Sequence, residues 1–149
     1  MKDRNMETLI KISNYCNEVE LTINRFGRDS EIFHNDRDYK NSICISLLQI
    51  GELTTHLSED FRSTFSKEVD WRGCKVLRNI VAHRYGTVNY DIVWKAATEE
   101  IPEIKSFCDD KIALFNLINA PSISPDEAND EYVDDEQLDL TGQDRSKHI

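Results

Sequence analysis

Nine consecutive residues concentrate the chemistry-bearing side chains of this chain: Arg78-Asn79-Ile80-Val81-Ala82-His83-Arg84-Tyr85-Gly86. Arg78, His83 and Tyr85 could bind, transfer and donate protons around a phosphate. Histidine titrates nearest neutrality and suits general acid or base work. Arginine is permanently charged and presents a planar fork to phosphate oxygens. On a regular helix, five positions set His83 about 140° around from Arg78 and about 7.5 Å along the axis. Seven positions bring Tyr85 back almost in line with Arg78. One ideal helix therefore does not bring Arg78 and His83 to the same phosphate. Either the last turn is distorted, or two copies of the helix meet and each completes the other's site, as a symmetric interface allows. A plainer reading also fits, because cations in a last helical turn interact favourably with the helix dipole.

Other chemistries leave little trace. The five glycines form neither a G-x-G-x-x-G nor a G-x-x-x-x-G-K loop, and there is no G-x-S-x-G elbow. Glu31-Ile32-Phe33-His34 has Glu-x-x-His spacing but stands alone, so there is no pair of such motifs of the di-iron type. Cys16, Cys44, Cys74 and Cys108 lie 28, 30 and 34 residues apart, without C-x-x-C or zinc-finger spacing. They read as buried thiols of a reducing, cytoplasmic setting, and no metal or cofactor is expected. His34 and His56 stand among polar residues, so surface positions are expected for both. His148 lies near the end of the chain.

Charge is unevenly distributed. The net charge is −10, which by itself argues against a nucleic-acid partner. From Pro121 to Ile149, however, nine acids face two bases, a net charge of −7. Trp71 to Tyr90 holds Arg72, Lys75, Arg78 and Arg84 and no acid. An acidic protein thus has one basic element. The segment 121–149 has few large apolar residues and no sustained periodicity, so it reads as a disordered acidic tail after a folded region 1–120. No apolar run approaches the roughly 18 residues of a membrane span. The amino terminus lacks the apolar stretch of an export signal.

The elements that must position the basic segment are helical. Leu9, Ile12, Cys16, Val19, Ile23 and Phe26 follow a 3,4 spacing, the stripe of one helix face from about Asp3 to Phe26, with Gly27 as a left-handed stop. A second helix is expected from Asp36, its N-cap, to about Leu57, with Ile43, Leu47, Ile50 and Leu57 on one face. Gly51 inside it costs about 1 kcal/mol against alanine, and close approach of another helix would be one reason for it. A third helix starts near Asp70, carries Cys74, Leu77, Ile80 and Val81, and ends at Gly86. A fourth starts at Asn89 and must kink or restart near Glu100, because Pro102 removes a backbone donor. The connections 27–35, 58–69 and 87–88 are short enough for an antiparallel all-α bundle of four to five helices.

Specific text carries a resemblance. Val69-Asp70-Trp71-Arg72-Gly73, the run Leu77–Gly86, and Asn89-Tyr90-Asp91-Ile92-Val93-Trp94 together resemble HEPN-domain proteins of the HepT-like toxin family. Leu47-Leu48-Gln49-Ile50-Gly51-Glu52-Leu53 with Leu57-Ser58, and Ile101-Pro102-Glu103-Ile104, look like the same family, so that the likeness covers about Met1 to Leu117. It implies a small helical HEPN-type bundle that forms a homodimer. It implies a metal-independent endoribonuclease, the toxin of a type II toxin–antitoxin system, with Arg78 and His83 as a composite catalytic site at the dimer cleft. Asn79 would support that site. The implied partner is a minimal nucleotidyltransferase antitoxin that attaches AMP to Tyr85. Arg72 and Lys75, with Arg84, could attract the RNA backbone. The tail departs from what the family leads one to expect, and could occupy the cleft as an RNA mimic. The alternative function is a non-catalytic module that recruits a nucleotidyltransferase or binds a nucleotide.

Overall fold

The first apolar stripe becomes the buried face of α1 (Arg4–Phe26) in a computed structural model that describes residues 3–83 and 87–121, with only the backbone at His83. Leu9, Ile12, Cys16, Val19 and Ile23 are essentially inaccessible. The Asp3 side chain caps α1 by accepting from the Met6 amide. At its other end the Gly27 amide closes on the Ile23 carbonyl. Gly27 takes φ 113° and ψ 137°, not the left-handed helical conformation expected of it. It still stops the helix, because a side chain at that positive φ would be strained.

α3 (Arg37–Thr54) begins at the expected cap, with Asp36 accepting from the Tyr39 amide. It ends three residues earlier than its apolar pattern suggests; Leu57, in the turn beyond, is nonetheless buried. α3 packs along both α1 and α5 (Trp71–His83), and so forms the centre of the bundle. Antiparallel packing on α1 is marked at both ends. Thr22 meets Ser42 at 3.2 Å, and the Asn5 side chain accepts from the Ser58 amide just beyond α3.

Two connections contain short helices that the sequence pattern does not reveal. α2 (Ser30–Asn35) is capped by Asp29, and α4 (Glu59–Thr64) by Ser58. Six residues are too few to display a period, and what secures both helices is aromatic packing. Phe33 of α2 sits among Tyr39, Tyr90 and Trp94. Phe61 of α4 and the following Phe65 pack on Phe107, beside Trp71. Such ring pairs are each worth about 0.5–1.5 kcal/mol beyond their burial.

The last helical stretch is broken where proline requires it. α6 (Tyr90–Lys95) starts at Asn89, which accepts from the Asp91 and Ile92 amides. A π-helical turn over Ala96–Glu100 follows, then α7 (Ile101–Ile118), with Pro102 in its first turn. By its contacts the chain divides into Met1–Leu117 and Ile118–Ile149. The expected tail falls almost wholly on residues 122–149, outside the described residues. Among the described residues there is no strand, and no helix is long and apolar enough to cross a membrane.

Candidate active site

α5 is the element that carries the basic segment. Its start is defined by Asp70, whose carboxylate accepts from the Gly73 amide and whose carbonyl accepts from Cys74. Cys74 and Trp71 are its buried anchors. Leu77, Ile80 and Val81 are only half-buried and Val76 is 50% exposed, so the outer face of α5 stays partly apolar and uncovered.

Arg78 lies where α5 comes nearest to α3. A Cβ built on Gly51 would stand 2.5 Å from the Arg78 Cβ and 3.1 Å from the Cys74 carbonyl oxygen. The expected reason for a glycine inside α3 is thus found: α5 crosses there with no room for a side chain. The neighbouring Glu52 reaches across, and its Oε1 accepts from Arg78 Nη1 at 2.7 Å. Asn79 Oδ1 accepts from Arg78 Nε at 3.2 Å and from Nη2 at 2.8 Å. Two residues therefore hold the guanidinium through three hydrogen bonds. A guanidinium has five N–H donors. Three are engaged among the described residues, which leaves one donor on each terminal nitrogen for an anion.

Glu52 is the residue that sequence reasoning assigned no role. It lies 26 positions from Arg78, and the only local signal was the glycine before it. Arg78 is 22% exposed and Glu52 52%. Pairs this accessible contribute only about 0–1 kcal/mol, so the contact matters more for aim than for stability.

The remaining expected residues are placed as follows. Arg72 and Lys75 are exposed on α5. The α5 backbone stays helical through His83, so the two motif positions keep their separation of about 140° and 7.5 Å. The side chain of His83, and Arg84, Tyr85 and Gly86, lie outside the described residues. His34 is not simply a surface residue. Its Nε2 is 2.9 Å from Asp91 Oδ1 and its Nδ1 is 2.6 Å from the Ser30 carbonyl, which ties α2 to α6. His56 is exposed.

The cysteines are unsuited to nucleophilic work. All four are free, and burial pushes Cys74 and Cys108 up to about 12 and Cys44 up to about 11. Cys16 is driven higher still, by burial first and then by Cys108. No group of three His, Cys, Asp or Glu among the described residues could hold a metal ion.

Comparison with known proteins bears on this geometry. The model of the family described as Ribonuclease HepT-like matches residues 12–110. "Putative RNase MJ1380" of Methanocaldococcus jannaschii is 34% identical over 77 residues, which cover 52% of this chain and 70% of that protein. "Putative RNase TTE0752" of Caldanaerobacter subterraneus subsp. tengcongensis is 36% identical over 89 residues, 59% of this chain and 79% of its own. "Probable ribonuclease HepT" of Thermococcus cleftensis is 30% identical over 89 residues, 58% and 79% of the two chains. No solved structure matches the chain. The matched stretch runs from the middle of α1 into α7 and takes in Gly51, Glu52 and the whole of α5: the chain belongs to the HepT-like ribonuclease family.

Proposed function

We propose that this chain is a metal-independent endoribonuclease, the toxin of a type II toxin–antitoxin pair, which cuts cytoplasmic RNA. The observation that carries this reading is the Arg78 guanidinium. It is aimed by Glu52 and Asn79, keeps two donors unengaged among the described residues, and lies five positions before His83.

The chemistry follows from what these groups can do. The ribose 2′-oxygen attacks the adjacent phosphorus as its proton leaves, the phosphorus–5′-oxygen bond breaks, and a proton is delivered to the departing 5′-oxygen. His83, near neutrality, serves one of the two proton transfers. Arg78 stabilises the charge that builds on the non-bridging oxygens. The products are a 2′,3′-cyclic phosphate and a 5′-hydroxyl. Because a regular helix keeps Arg78 and His83 on different faces, the working site is composite, with two copies of α5 meeting in a homodimer. The half-covered apolar face of α5, with Val76 and Ile80, supports that pairing. The partner is a minimal nucleotidyltransferase that silences the enzyme by attaching AMP to Tyr85.

The test uses purified protein, shown by mass spectrometry to carry no AMP on Tyr85, incubated with total RNA in EDTA beside His83→Ala. Cleavage by the parent protein alone, with cyclic-phosphate ends, is expected. Cleavage that stops with EDTA counts against the scheme. No cleavage by either protein would favour a non-catalytic module that binds its partner without cutting RNA.

A further inference from the structure

A second polar feature lies on α5, upstream of Arg78. An open groove of about 370 Å³ runs between the end of α3, α4 and the first turns of α5. Three cations line it: Arg62 in the last turn of α4, and Arg72 and Lys75 on α5. Among the described residues none of the three has a carboxylate within ion-pair distance. Arg62 is braced by donating from Nη1 to the Thr54 carbonyl at 3.4 Å. The hydroxyl residues Ser63 and Ser66 share the lining, and Glu59 is its one acid.

Trp71 is 9% exposed and lines the groove, and its Nε1–H is the buried side-chain donor that finds no acceptor among the described residues. A buried donor left unpaired costs about 1–3 kcal/mol, but this nitrogen is closed off from solvent and is not among the donors the groove presents. Three cations with no carboxylate partner among the described residues, together with the Ser63 and Ser66 hydroxyls, make a surface rich in donors. A phosphodiester backbone supplies the complement, being anionic and rich in acceptor oxygens.

We infer that the α4–α5 groove is a second nucleic-acid subsite, which holds RNA phosphates flanking the bond to be cut. The identity of the polymer rests on the ribonuclease reading. Spacing fits the role. Lys75 and Arg72 precede Arg78 by three and six positions, about 4.5 and 9 Å along the helix axis. At roughly 3.4 Å of axial rise per phosphate along one strand, that reaches on the order of one to three nucleotides. Arg62 widens the contact from a single helix ridge to a two-sided groove.

The experiment measures binding apart from cleavage. Full-length protein is titrated with a single-stranded oligodeoxynucleotide, which has no 2′-hydroxyl to attack, across a range of salt concentrations. The parent is compared with Arg62→Gln/Arg72→Gln/Lys75→Gln. A control triple, Lys11→Gln/Arg37→Gln/Lys95→Gln, removes the same charge at exposed sites elsewhere. Circular dichroism melts confirm that all three are folded. Each single-strand phosphate contact contributes about 0.7 to the slope of log K against log salt, so the groove variant should lose about 2 in slope while the control keeps the parent value. An unchanged slope in the groove variant overturns the inference, and so does an equal fall in the control, which would reflect net charge alone. The groove stands if the slope falls selectively even where the parent fails to cut RNA. It falls, with the ribonuclease reading intact, if His83-dependent cleavage is seen and the slope does not move.

Discussion

Replacing Gly51 by alanine tests whether the α3–α5 crossing sets the aim of Arg78. By helix propensity alone the substitution should stabilise α3 by about 1 kcal/mol. The crossing opposes that gain. The new Cβ would lie 2.5 Å from the Arg78 Cβ and 3.1 Å from a backbone carbonyl, and neither atom is the free end of a flexible side chain. Overpacking of this kind costs about 1–3 kcal/mol, so the net change is a loss of about 0–2 kcal/mol. For a bundle of this size each kcal/mol moves the melting temperature by about 3–6 °C. Relief of the contact to an ordinary van der Waals distance needs α5 to move out by about 1 Å, and misplacement by that amount can cost about 100-fold in rate. The informative result is therefore disproportion: a melting temperature lowered by only a few degrees and a cleavage rate lowered by one to two orders of magnitude. Thermal denaturation and single-turnover cleavage of an RNA oligonucleotide read the two quantities. A Gly51→Ala protein that melts higher than the parent and cuts at the parental rate would refute the argument, because the crossing would then tolerate a side chain without disturbing Arg78.

Other expectations follow from named contacts. Glu52→Gln keeps an acceptor for Arg78 and removes the competing charge, so KM for RNA should fall by up to about 5-fold with kcat nearly unchanged. Glu52→Ala should instead lower kcat, and steady-state kinetics in which both variants match the parent would deny Glu52 any role. Burial raises Asp109, but the hydrogen bonds from Lys105 and Ser13 outweigh it and its carboxyl titrates below the ordinary value. A lowered folded-state pKa contributes stability above the unfolded value near 3.9, which is lost as pH falls through the folded value. Urea unfolding should accordingly show Asp109→Asn less stable than the parent at pH 6, with the gap closing at the acid end; a gap that does not change with pH would contradict this. The cysteines, raised by burial, should resist iodoacetamide at pH 8 in the native state, and mass spectrometry that found rapid labelling of Cys16 or Cys108 would show the core to be looser than described. Deleting Pro121–Ile149 removes a net charge of −7 and should raise RNA affinity and lower its salt dependence, whereas an unchanged affinity would show that the tail does not compete with RNA.

The elements legible in the sequence are those whose evidence is local. α1 announces itself by a 3,4 stripe held over five turns, and the expected caps Asp36 and Asn89 each make the bond expected of them. The break before Pro102 follows from a missing donor, although that it takes the form of a π-helical turn does not. α2 and α4 were illegible because their evidence is tertiary: Phe33 and Phe61 hold them through rings that lie elsewhere in the chain. The same division runs through the site. Arg78 and Asn79 are adjacent in sequence and stand out together. Glu52 depends on a helix crossing that no spacing rule gives, and only the glycine before it hinted that something passed close by.

That crossing explains why an ion pair of small energetic value is set where it is. A lone arginine on the outer half of a helix has long, flexible reach and about 2 kcal/mol of rotamer entropy. Gly51 brings the α3 backbone against the root of the side chain, and Glu52 and Asn79 take hold of its head from two directions. Little of this adds to stability, since a pair about half-exposed on one partner is screened by water. On the proposed reading its effect is to spend the entropy of the guanidinium before any phosphate arrives, with one donor left on each terminal nitrogen among the described residues. The arrangement has a cost in charge, because Glu52 repels the anion that Arg78 is aimed to receive. A substrate gripped by Arg78 alone would be weakly held. RNA would bind well only if cations away from the carboxylate supplied the attraction, and Arg62, Arg72 and Lys75 are cations of that kind, without an ion-pair partner among the described residues and within two turns of Arg78 or across the groove from it. Division of labour between a neutralised, well-aimed arginine and an unneutralised groove then accounts for both halves of α5. It also separates their effects, because groove substitutions should raise KM and leave kcat, whereas Arg78→Lys, which keeps the charge and loses the fork, should lower kcat.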